Sequence, residues 1–171
     1  MADLLMKKDA RISECGLYRY WLTRQWQVTH GSSAVFIMLN PSTADAEVDD
    51  RTIGRCIGFA RAFGCGRLVV VNLFAFRATD PAIMRAAADP VGPDNNRVIE
   101  DVLTSTGGPV ICAWGAEGGF MERDKAVLRL IRETGRQATA LKLTKHGQPR
   151  HPLYLKGDCV PSPYNLPPPA Q

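Results

Sequence analysis

Four short apolar runs constrain this chain more than any other feature. They lie at residues 34–39 (AVFIML), 68–73 (LVVVNL), 109–114 (PVICAW) and 138–143 (ATALKL). Runs of this length without polar alternation suit strands buried on both faces, as in parallel sheets. Helical spacing fills the gaps between them. Ile53, Ile57, Ala60 and Phe63 follow Asp50 or Thr52 as caps, and Val98, Ile99, Val102 and Leu103 follow Asp94. Ala126, Val127, Leu130 and Ile131 form a third stripe that ends at Gly135. Strand and helix alternate throughout, which predicts right-handed crossovers and one α/β domain over residues 1–160. Its expected form is three layers, with a central four-stranded parallel sheet flanked by helices. An extra edge strand or hairpin is expected from the aromatic and charged stretch at 11–28. Seven of the 12 prolines fall between Pro149 and Pro169, so residues 161–171 read as a Pro-rich tail.

Composition removes several classes. With 45% hydrophobic and 22% charged residues in 171, the chain is not a disordered one. It has no apolar run long enough to cross a bilayer and no leader-like opening, so a cytoplasmic location without membrane contact is expected. The net charge of +4 is a mild lean toward anionic partners. The 5 Cys are scattered without a CxxC pair, and with 3 His they offer no zinc spacing. Neither a metal nor another cofactor is expected, and Cys56 and Cys112 read as small core residues.

Ligands of open parallel sheets sit beyond the carboxyl ends of the strands. There the first run ends in Asn40-Pro41-Ser42, followed by Asp45, Asp49 and Asp50. The second carries Asn72, then Phe74, Phe76 and Arg77; the fourth runs into Lys145, His146, Arg150, His151 and Leu153. Each has a plain alternative. Asn40-Pro41 suits a turn, the aspartates suit a solvated loop or a helix cap, and the two histidines suit exposed loop positions. Phe74 and Phe76 suit the core, although an aromatic at a strand end can also stack on a planar ligand. Trp114-Gly115 reads as packing plus a tight turn. Asn72 points most strongly to a ligand, because a buried carboxamide needs partners for its donors and its acceptor. No P-loop, no GxSxG elbow and no zinc-deaminase signature occurs.

The blocks LNPSTAD (39–45), NLFAFRATDP (72–81) and KHGQPRHPLYL (145–155), with YRYWLTRQW (18–26) and VGPDNN (91–96), resemble an uncharacterised bacterial domain-of-unknown-function family. At greater distance the arrangement is similar to the uracil-DNA glycosylase superfamily. That resemblance implies a parallel sheet between helices and a catalytic Asn40 that positions water. It also implies an Asn72 that reads an extruded pyrimidine, and a late loop in which His151 contacts the base and Leu153 wedges into the duplex. The implied function is cleavage of the N-glycosidic bond of a damaged, deaminated or modified pyrimidine in DNA, in repair or anti-phage defence. Asp45, Asp49 or Asp50 would then stabilise charge or act as base, while Phe74, Phe76 and His146 would contact the base. Ser42, Arg77, Lys145, Arg150 and Leu153 would contact DNA. The expected partner is DNA carrying an altered base, met by a monomer. An enzyme acting on free nucleosides or nucleotides, and a non-catalytic modified-base binding module, are the alternatives.

Overall fold

The computed structural model describes residues 6–28, 31–42 and 46–166. Apolar runs without alternation become strands buried on both faces. Strand β3 (Ser33–Met38) is buried along its whole length, and β4 (Arg67–Asn72) is buried from Leu68 onward. They pair in parallel from Ser33–Arg67 to Met38–Asn72. Strand β5 (Val110–Cys112) runs parallel on the other side of β3, and β6 (Ala138–Ala140) runs parallel to β5.

The odd and even positions of these strands serve two cores. Phe36, Met38, Leu68, Val70 and Ile111 meet Ile53, Cys56, Phe59 and Ala60 of helix α1 (Arg51–Ala62) on one face. On the other, Val35, Ile37, Val69, Val71 and Cys112 meet Met84 of α2 (Pro81–Ala86) and Val98, Ile99 and Val102 of α3 (Asn95–Ser105). Val127 and Ile131 of α4 (Arg123–Glu133) complete that face. The chain is therefore an α/β domain whose sheet carries helices on both faces. Burial raises the thiols of Cys56 and Cys112 well above the ordinary range, so both are apolar fillers as expected.

The sheet is larger and more mixed than the apolar runs imply. It has seven strands in the order β1-β2-β4-β3-β5-β6-β7. Strands β1 (Lys7–Ile12) and β2 (Arg19–Gln25) form the expected hairpin, starting earlier than residue 11, and β2 joins β4 antiparallel. The expected tail is also partly built into the fold. Ser162–Pro163 forms β7 against β6, and Tyr164 is 2% exposed, edge-on to Trp114 at 6.0 Å between ring centroids. Proline is tolerated there because the strand lies at the sheet edge, where a missing N–H breaks no ladder. Helix α2, too short for a periodic signal, is marked by its start: Asp80 caps Ala82 N and Pro81 opens the first turn.

Candidate functional site

Strand β3 comes first among the parallel strands. Its two parallel neighbours, β4 and β5, are reached by crossovers on opposite faces, which leaves a crevice at their carboxyl ends. A cavity of about 230 Å³ opens there, between those ends and the start of α1. Of the residues singled out from sequence, Asn40, Ser42, Asp50, Asn72 and His151 all line it.

Asn40 is held by its nitrogen. Nδ2 donates to Ala78 O at 2.8 Å and to Pro41 O at 3.1 Å. Two carbonyl acceptors fix which amide atom points where. Oδ1 is left as an acceptor without a partner among the described residues.

Asp50 is the N-cap of α1. Its Oδ1 accepts from Ile53 N and its Oδ2 accepts from the Ser42 hydroxyl, both at 2.8 Å. The plain reading as a cap therefore holds, yet the same carboxylate lies in the cavity wall and carries its charge there.

Asn72 closes β4 at a position where Leu68 and Val70 have already set an apolar face. It is 1% exposed, its Nδ2 is buried without a hydrogen bond, and Oδ1 takes none among the described residues. A buried carboxamide in that state is costly, and a ligand in the cavity would satisfy it.

His151 begins the last short turn (Pro152–Tyr154), and its Nδ1 accepts from Leu153 N at 3.2 Å. The neutral ring therefore carries its proton on Nε2. Burial lowers the pKa of His151 below 6.5, and the Asp50 charge pulls partly against that shift. The group is a neutral donor at physiological pH.

The other sequence candidates go elsewhere. Asp49 pairs with Arg24, whose Nε and Nη2 lie 2.7 Å from Oδ1, and with Lys8 at 3.4 Å; the Arg24 side chain is fully buried, so the ion pair serves the hairpin. Phe74 is fully buried in the core against Phe120 at 5.5 Å, which removes it as a stacking surface. Phe76 meets Tyr18 edge-on at 5.9 Å, and Arg77 donates to Gly16 O at 3.1 Å. Lys145 and His146 lie exposed at the tip of a loop closed by Leu143 and Pro149. Arg150 and Leu153 are half-buried and, with the other residues of this group, stand outside the cavity lining. Asp45 lies outside the described residues.

Sequence reasoning also missed residues in the wall. Arg19, only 3% exposed, enters from the start of β2, and Trp114 from the end of β5. A cation inside the aromatic stretch YRYWLTRQW was the available signal for Arg19. Trp114 donates from Nε1 to Gln148 Oε1 at 2.8 Å, and Gln148 Nε2 donates to Asp124 at 2.9 Å. That chain ties the loop carrying His151 to β5 and α4. Gly118 is required here, because a Cβ would fall 2.1 Å from the Trp114 ring.

Fold and cavity together define an α/β domain with a cleft of mixed polar and apolar lining at the carboxyl ends of its parallel strands. The chain belongs to the family described as "Protein of unknown function (DUF1643)", which it matches over residues 19–153. No curated protein and no solved structure gives a match.

Proposed function

We propose that this chain is a DNA glycosylase that releases a damaged, deaminated or modified pyrimidine, on a fold of the uracil-DNA glycosylase type. The observation that carries the reading is Asn72: a 1% exposed carboxamide without a hydrogen bond, in the wall of a cavity. A carboxamide offers an adjacent donor and acceptor, which matches the edge of an extruded base.

The remaining wall groups fit bond cleavage. As the C1′–N bond breaks, its electron pair leaves with the base and positive charge grows on the sugar. His151 donates from Nε2 to a base carbonyl on which negative charge develops, and being neutral it does not require a buried cation. The fixed Oδ1 of Asn40 accepts from a water and aims it at C1′; as the C1′–O bond forms, the proton that the water gives up ends on the departing base and neutralises it. The Asp50 carboxylate, already placed by two hydrogen bonds, stabilises the oxocarbenium-like sugar.

A second reading is an enzyme that cleaves the same bond in free nucleosides or nucleotides. It is favoured by one fact: Arg77, Lys145 and Arg150 are absent from the cavity lining. Oligonucleotides carrying uracil, mismatched thymine or bulkier pyrimidines, assayed for alkali-labile abasic sites, test the first reading. Release that disappears in Asn40→Ala and Asn72→Leu supports it. Release from mononucleosides alone selects the second reading, and release from neither sinks both.

A further inference from the structure

Two polar side chains buried behind the cavity have no part in the chemistry above: Asn95, fully buried, and Arg123, 5% exposed. Both act on one piece of backbone. The ladder between β2 and β4 ends at the Leu22–Val70 pair. Beyond it, before Arg19 N reaches Ala75 O, side chains take the carbonyls of Asn72 and Leu73. Asn95 Nδ2 donates to Asn72 O at 3.0 Å and to Leu73 O at 3.1 Å, and Arg123 Nε donates to Leu73 O at 2.9 Å. Within the described residues these are the only hydrogen bonds either side chain makes, and Asn95 Oδ1 and Arg123 Nη2 are buried without partners.

The same strand end is gripped from its other edge. Leu73 N donates to Met38 O at 2.9 Å and Phe74 N to Leu39 O at 3.0 Å. Delivering Arg123 to its place takes unusual backbone: Met121 and Glu122, consecutive and neither of them glycine, both stand at φ 53°. Left-handed non-glycine residues persist where the surroundings over-determine them, and they gather at functional sites. The side chain that projects from this held backbone is Asn72. It has no hydrogen bond of its own to set its direction, so the backbone is what aims it.

We infer that Asn95 and Arg123 are positioning residues, a two-pronged clamp on the carbonyls of Asn72 and Leu73 that aims the Asn72 carboxamide into the cavity. The inference rests on the reading of Asn72 as the base-contacting group. Its test is the side-chain NH₂ signal pair of Asn72 in the ¹⁵N-labelled full chain, identified by its loss in Asn72→Asp. In Arg123→Met and in Asn95→Ser that pair is expected to move or broaden while backbone amides of β1 and α1 keep their positions. Release of uracil from an oligonucleotide is expected to fall about a hundredfold in kcat/KM in the same variants, the scale of a 1 Å misplacement. An unmoved Asn72 pair overturns the clamp, as does a displacement spread evenly over the whole chain. If one variant does not fold, the other decides. If the Asn72 pair moves and the wild-type chain releases no base from any oligonucleotide, the clamp stands and the glycosylase reading falls.

Discussion

The two faces of the sheet end differently at the same level. On the α3 and α4 face, polar side chains fill the space beyond the strands, and their hydrogen bonds go to backbone groups or to one another: Asn95, Arg123, Asp124, Gln148 and Trp114. On the α1 face the space is hollow, and Asn72 stands in its wall unbonded. Burial alone does not separate the two groups, since Asn95 is 0% and Asn72 1% exposed. What separates them is that Asn95 and Arg123 donate to backbone carbonyls, although Asn95 Oδ1 and Arg123 Nη2 lack partners, whereas the Asn72 side chain makes no hydrogen bond among the described residues. Polar groups that are answered hold the fold, and those left unanswered beside a cavity are held ready for something else.

The largest break in this scheme falls on a third kind of residue, the ion pair beside the site. Asp49→Ala removes the carboxylate that lies 2.7 Å from the fully buried Arg24. Breaking such a pair costs about 3 kcal/mol, read as a fall in urea midpoint. Base release per folded molecule is expected to stay at the wild-type level. A loss of release at unchanged stability would move Asp49 into the catalytic group.

The two buried asparagines then give opposite signs. Asn95→Leu strips a donor from two buried carbonyls and is expected to lower stability by about 2 kcal/mol. Asn72→Leu removes an unanswered carboxamide and fills the same volume with apolar atoms. It is expected to raise stability by about 1 kcal/mol while abolishing base release. Thermal melts of the two variants side by side check the contrast. A fall in both would mean that Asn72 has a structural partner and that the comparison above is wrong.

How far these roles can be read from the sequence follows the same division. Asn72 stood out because an amide interrupts LVVVNL, and Asn40, Ser42, Asp50 and His151 because topology sends strand ends to one place. The parallel strands were legible because their burial erases alternation. Asn95 and Arg123 carry no such mark. One opens helix α3 in a polar stretch and the other follows two residues whose left-handed backbone no residue type announces. Arg19 was hidden by an edge hairpin whose pairing with β4 is set by the sheet and not by local pattern. Tyr164 was hidden among prolines that elsewhere mark a loop.

A smaller effect tests the donor on the open face. The His151 turn depends on an unprotonated Nδ1, which accepts from Leu153 N. Protonation turns that acceptor into a donor and breaks the cap. Because burial puts the folded pKa below 6.5, the stability this cap adds is whole above pH 6.5 and is lost as the pH falls through the lower folded value. Melting temperature followed against pH should show that loss in the wild-type chain. His151→Asn, whose side chain still accepts but does not titrate, should flatten it. A loss that begins above pH 6.5 would mean that the Asp50 charge outweighs burial.

The smallest effect on stability concerns the rim. After His151 the turn buries half of Leu153 and leaves Tyr154 72% exposed, its ring centroid 5.8 Å from that of the histidine. The exposed side chain next to His151 in this turn is therefore Tyr154, while Leu153 is half-buried. An exposed ring whose one ring contact among the described residues is His151 adds little to the fold, so Tyr154→Ala should change stability by no more than about 0.5 kcal/mol. A base stacked on an aromatic ring is worth about 1–3 kcal/mol, so the same variant should bind oligonucleotides roughly tenfold more weakly. Cleavage of a mononucleoside has no neighbouring base to stack and should not change. Leu153→Ala should behave in the opposite way, lowering the melting temperature with little effect on oligonucleotide affinity. Equal affinity for oligonucleotides with and without the Tyr154 ring would remove the rim from the DNA reading and leave the free-nucleoside reading the stronger of the two.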